Sequence, residues 1–139
     1  MGNNDEQAMR SFAEAYTAAW CSQEAARVAA FYEENGSLSV NEEAPAVGRQ
    51  SIIAVAQGFM TAFPDLKVSM DDLSFENDRI IYHWTLTGIN SGPGGTGRAV
   101  RISGREVWQM GADGLIAVSR GSFDSADYRR QIESGAQPA

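Results

Sequence analysis

The sequence predicts an α+β fold, a cone-shaped curved antiparallel β-sheet wrapped around N-terminal helices. Three observations predict it. Apolar residues recur at helical spacing from Met9 to Phe63. From Leu66 onward the apolar period becomes two, as in strands with one covered face. The order, helices first and then a meander of strands, belongs to α+β domains rather than to alternating α/β ones.

Residues 5–33 read as helical, with Met9, Phe12, Ala13, Tyr16 and Trp20 in one stripe. Cys21-Ser22-Gln23 interrupts the stripe, and Ser22 is placed to cap a second helix with Ala25, Val28, Ala29 and Tyr32 inward. Asn35-Gly36 ends that helix, Ser37–Val40 is a short strand, and residues 41–48 form a loop. Arg49–Phe63 is a third helix with Ile52, Ala56, Phe59, Met60 and Phe63 on one face, stopped by Pro64. Leu66, Val68 and Met70 then alternate with polar residues, whereas Leu73 and Phe75 continue in the opposite parity. The switch at Asp71-Asp72 predicts a β-bulge, which bends a strand. After a turn at Asn77-Asp78, Arg79–Thr87 is a strand. Its two sides are Ile80, Tyr82, Trp84, Leu86 and Ile81, His83, Thr85, Thr87. Residues 91–97 hold four glycines and a proline and form a loop without the lysine of a phosphate-binding loop. Arg98–Met110 and Leu115–Asp124 are the last strands, joined by a turn at 111–114; Ser125–Ile132 is a terminal helix. The remainder is a frayed tail, so a single domain spans 1–139 with an ordered core of about 5–133.

Composition bounds the function. With 139 residues, 43% of them hydrophobic and 21% charged, the chain reads as one folded domain. A net charge of -7 repels phosphate backbones and argues against nucleic acid. No apolar run is long enough to cross a bilayer, and the polar, acidic start does not read as a signal peptide, so a cytoplasmic protein is expected. One cysteine and one histidine give no disulfide and no conventional metal site. No metal and no cofactor are expected.

Several pieces in order carry a family resemblance: Gly48, Phe63-Pro64-Asp65, Asn77-Asp78-Arg79-Ile80-Ile81, Trp84-Thr85-Leu86-Thr87-Gly88 and Gly97-Arg98. Asp113-Gly114-Leu115-Ile116, Phe123-Asp124 and Tyr128-Arg129-Arg130-Gln131-Ile132 complete them. In this order the chain resembles the SnoaL-like polyketide cyclases of the nuclear-transport-factor-2-like superfamily. The resemblance implies the conical sheet and a homodimer through it. It also implies that Asp124 matches the acid/base residue of ring closure. Related steroid isomerases further imply Tyr16 as an oxyanion donor, beside the commoner reading of Tyr16 and Trp20 as core with the hydroxyl satisfied at the cavity edge. This chain departs from the pattern at Arg120, where many relatives carry Trp.

The residues themselves single out polar groups on apolar faces. Glu106 shares a face with Ile102, Gly104, Trp108 and Met110; desolvation there would raise its pKa into the range of a general acid or base. The bland alternative pairs it with Arg105 or Arg120. On the last strand, parity from Ile116 and Val118 places Arg120, Ser122 and Asp124 inward. Asp124 is equally placed to cap the terminal helix. Trp20, Tyr32, Phe59, Met60, Phe63, Trp84, Trp108, Met110 and Ser122 are expected as pocket wall or core. His83 and its neighbours face outward and suggest a homodimer. The expected function is cofactor-independent cyclase- or isomerase-like acid/base chemistry on a small, largely apolar carbonyl compound. In it, Asp124 takes a proton and Tyr16 or Arg120 holds the enolate oxygen. Two alternatives stand beside it: an epoxide hydrolase built on Glu106, Arg120 and Asp124, and a non-catalytic domain binding a small apolar or aromatic ligand.

Overall fold

The computed structural model describes residues 3–135. Its elements are α1 (Asn3–Trp20), α2 (Ala25–Ala29), β1 (Tyr32–Val40), β2 (Ala46–Val47), α3 (Arg49–Ala62), β3 (Lys67–Glu76), β4 (Arg79–Ile89), β5 (Ala99–Met110), β6 (Ile116–Phe123) and α4 (Ser125–Ser134). Six strands form one curved, unclosed sheet in the order β2-β1-β6-β5-β4-β3. All neighbours are antiparallel except β1 and β6, which run parallel, so the sheet is mixed.

The apolar stripes drive the packing. Ala13, Tyr16 and Trp20 of α1, Val28 of α2 and Ile52, Ala56 and Met60 of α3 bury against Leu73, Ile80, Tyr82 and Trp108 of the sheet. A second cluster of Phe63, Leu66, Leu86, Val100 and Ile102 closes the other end. Phe63 directly follows α3, as the proline after it requires.

Two bulges shape the sheet. In β3 the register passes from Met70↔Trp84 to Asp72↔His83, leaving Asp71 as the extra residue where the parity switch predicted it. In β6 it passes from Gln109↔Val118 to Met110↔Ile116, so Ala117 is extra. This second bulge corrects the expected inner face. One added residue reverses the parity of all that follows. Ser119, Gly121 and Phe123 therefore stand opposite the inward Trp108, Glu106 and Gly104, while Arg120 and Ser122 stand opposite Val107 and Arg105 on the outer face. Arg120 is exposed there.

The second helix is shorter than expected. It ends at Ala29, and Tyr32 begins a strand. Ser22 does not cap it; the N-cap is Glu24, whose side chain makes no capping bond. Instead Ser22 Oγ accepts from Glu24 N (3.1 Å) and donates to Ala19 O (2.6 Å). Asn35-Gly36 lies inside β1 because that strand must pass close to β6: a Cβ at Gly36 would stand 2.8 Å from the Ile116 carbonyl oxygen.

No helix among the described residues is long and apolar enough to cross a membrane. Gly104 allows the closest approach within the sheet. A Cβ there would meet Ser122 O at 2.3 Å and Trp84 Cζ2 at 2.6 Å. Gly104→Ala is expected to lower unfolding free energy by about 1–3 kcal/mol, the range for overpacking, as measured by urea denaturation.

Candidate functional site

Glu106 stands at the centre of the inner face, opposite Tyr82 of β4 and Gly121 of β6. It is 7% exposed, and its surroundings are aromatic. Tyr82 stacks on Trp108 with centroids 4.9 Å apart, and Tyr16 packs edge-on against both. An ionised carboxylate in such a place must be hydrogen-bonded or become neutral.

Glu106 is hydrogen-bonded on one side. Its Oε1 accepts from Trp108 Nε1 (2.8 Å), Ser119 Oγ (2.8 Å) and Tyr16 OH (3.0 Å). Its Oε2 has only a longer contact from Tyr16 OH, at 3.3 Å. Tyr16 has one proton, directed to the carboxylate, so the neighbouring Tyr32 hydroxyl, 2.8 Å away, donates to Tyr16. The donors thus come from α1, β5 and β6, with β1 behind them.

Burial raises the Glu106 pKa above the ordinary carboxylate value, and the donors from Trp108, Ser119 and Tyr16, with the Tyr32 hydroxyl close behind, partly oppose it. Tyr16 and Tyr32 are pushed well above a normal phenol, first by burial and then by the nearby Glu106 charge. They remain neutral donors. Tyr82 is raised too, chiefly by burial. Its hydroxyl pairs with Thr17 Oγ1 at 2.5 Å.

Above the carboxylate opens a small, partly enclosed pocket of about 60 Å³. Trp20, Phe59, Trp84 and Glu106 line it as expected, and Ser122 borders it from β6, although it stands in register with the outward Arg105. Leu38, Val40, Val55, Val68, Tyr82, Leu86, Ile102, Gly121 and Phe123 complete the wall. Tyr82 and Leu86 share the inward parity of Trp84, which was the signal for them. Ser119 and Gly121 carried no such signal, because only the bulge turns them inward.

The remaining expected wall residues lie elsewhere. Tyr32, Met60, Phe63 and Trp108 are wholly buried behind the wall, and Met110 packs on the core. Asp124 is exposed and caps α4, its Oδ1 accepting from Asp127 N at 3.0 Å. Neither Asp124 nor Arg120 lines the pocket. The structure therefore brings together Glu106 and Tyr16 and separates Arg120 and Asp124 from them. No cluster of metal-ligating side chains occurs among the described residues.

A curved, unclosed sheet over helices is the nuclear-transport-factor-2-like fold. The family model of SnoaL-like polyketide cyclases matches residues 10–132, and the chain belongs to that family. No curated protein matches it. Among solved structures, a protein of ketosteroid isomerase-like fold from Catenulispora acidiphila, in complex with trimethylamine, is 12% identical. It has a TM-score of 0.77 over 91% of this chain and 97% of that one. The epoxide hydrolase/cyclase-like enzyme SalBIII, of pyran ring formation in salinomycin, is 17% identical with a TM-score of 0.76, over 88% and 95% of the two chains. TsrD from Streptomyces laurentii is 19% identical with a TM-score of 0.76, over 95% and 97%. These likenesses show the fold.

The buried carboxyl makes stability pH-dependent. Because its folded pKa is raised, the folded chain keeps a proton that the unfolded chain has released. Its contribution is full below the ordinary carboxylate pKa and is lost as pH rises from there through the folded value. Unfolding free energy of the wild type, measured against Glu106→Gln across that window, is expected to fall with pH. A flat difference would show that Glu106 is not protonated in the folded chain.

Proposed function

We propose that the chain is a cofactor-independent acid/base enzyme of cyclase or isomerase type, acting on a small, largely apolar carbonyl compound, with Glu106 as the proton-transfer group. The observation that carries this is the asymmetry of its carboxylate. Three donors occupy Oε1, while Oε2 keeps its proton-accepting capacity in an apolar pocket. The donors favour the anion and burial favours the acid, a balance that brings a carboxyl toward its working range. Glu106 Oε2 takes a proton from the carbon beside the carbonyl and returns one to the product. With one titrating carboxyl in the wall, the same group acts as base and then as acid.

The first-expected mechanism, with Asp124 as base and Arg120 at the enolate, has no support in where those side chains lie. The epoxide hydrolase reading from Glu106, Arg120 and Asp124 meets the same difficulty, since the three share no cavity. A purely binding role remains the rival outcome of the test.

Deuterium exchange at the acidic methylene of 2-tetralone, followed by NMR, tests the proposal. The wild type is expected to accelerate it, and Glu106→Gln to slow it by about 10²–10⁴-fold, the range of positioned acid/base catalysis. Asp124→Ala is expected to keep the rate and cost about 1 kcal/mol of stability through the lost cap. No acceleration by the folded wild type leaves the binding reading.

Two copies are proposed to associate through the outer face of β4, β5 and β6. There Val107 and Val118 form an apolar strip bordered by Arg79 and Arg120, and Ile81 and His83 lie in register beside it. Light scattering is expected to return twice the chain mass; a single-chain mass sinks this assignment. A cytoplasmic setting fits the exposed free thiol of Cys21.

A further inference from the structure

The reaction proposed for Glu106 needs a donor for the carbonyl oxygen, and most polar groups near the pocket are already engaged. Tyr16 gives its proton to Glu106, and Tyr82 is paired with Thr17. Ser122 stands in register with Arg105 on the outer face. Trp84 is different. Its Nε1 is, among the described residues, the buried side-chain nitrogen or oxygen that has no hydrogen-bond partner.

Trp84 lines the pocket together with Glu106. Its cross-strand partner is Gly104, two positions from Glu106 along β5, so the two side chains are diagonal neighbours on one face. The indole is held in place. Its Cζ2 presses on the open face of Gly104, and its ring meets Phe123 at 6.0 Å between centroids. A buried donor left unpaired forfeits its hydrogen bond to water without replacement. Nothing in the wall repays that cost, so the N–H is poised for an acceptor that arrives with the ligand.

We infer that Trp84 Nε1–H is the donor to the substrate's carbonyl oxygen, and that it holds the enolate oxygen formed when Glu106 removes the neighbouring proton. This rests on the reading of Glu106 as the base. In the step, the α C–H bond breaks and its proton goes to Glu106 Oε2. The electron pair forms the C=C bond, and the carbonyl π pair moves onto oxygen, where the indole N–H bonds it. Reversal, or reprotonation at a second carbon, returns the proton. The pair of groups defines the ligand class: a ketone on a flat apolar ring system, its oxygen at Trp84 and its acidic C–H at Glu106.

Trp84→Phe removes the N–H and keeps an aromatic ring. Its kcat for 2-tetralone exchange is expected to fall about 10–100-fold, with KM changed less than about threefold, as for loss of a transition-state donor. Affinity for 2-naphthol, an aromatic mimic of the enol, should fall with kcat. In the wild-type protein labelled with ¹⁵N, the Trp84 indole proton should move downfield on saturation with 2-naphthol. This second measurement decides the matter if the variant does not fold. A full exchange rate in Trp84→Phe, or an unmoved indole signal at saturation, overturns the inference while leaving Glu106 as the base if Glu106→Gln is inactive. No exchange by the wild type overturns the Glu106 reading and this inference with it.

Discussion

One carboxylate oxygen, Glu106 Oε1, ties the first helix to the middle of the sheet. Three hydrogen bonds converge on it from Tyr16 of α1, Trp108 of β5 and Ser119 of β6. Each such bond is worth about 0.5–1.5 kcal/mol to a neutral acceptor and more where the carboxyl is ionised. Their geometry requires α1 to lie over β5 and β6 at one depth and rotation. Placing the helix this way also places Trp20 and Thr17, and through Thr17 the Tyr82 hydroxyl. The pocket wall and the acid at its floor are thus set by the same contacts.

Much of this was legible in the chain. A glutamate between Gly104 and Trp108, on an otherwise apolar face, announces a buried carboxyl, whereas Tyr16 on the helical stripe was legible as an inward residue but not as the donor to that carboxyl. The β3 bulge was legible as well, because Val68-Met70 and Leu73-Phe75 change parity on opposite sides of Asp71. The β6 bulge was not. Ala117 and Val118 are both apolar enough for either face, and Ser119, Gly121 and Ser122 are all small. Alternation carries no information where the side chains do not differ. The unseen extra residue placed Arg120 and Asp124 in the wrong company. The beginning of β1 was hidden for another reason: Tyr32 continues a helical period, and Asn35-Gly36 has the composition of a turn while serving as a close strand contact.

Charge follows the two faces of the sheet. Arg79, Arg105 and Arg120 project outward from β4, β5 and β6, while the pocket wall contains a single titrating carboxyl. Burying a cation beside Glu106 would have held the carboxylate ionised and lowered its pKa. Keeping the arginines outside leaves burial as the dominant influence, with neutral donors tempering it. The same segregation removes the charge partner that the sequence suggested for Glu106.

Gly121 gives the family member a way to diverge. It faces Glu106 from β6, and a Cβ built there would lie 3.7 Å from Glu106 Cγ, with Ser39 O at 3.3 Å asking for only a slight shift. Its backbone is not among the positive-φ positions, so an ordinary side chain meets no conformational penalty. Substituents at this one site would shorten the space above the acid stepwise and leave its hydrogen bonds intact. Pocket size and the setting of the carboxyl can therefore vary separately here, the first through a single codon in β6, the second through a network spread over the helix and three strands.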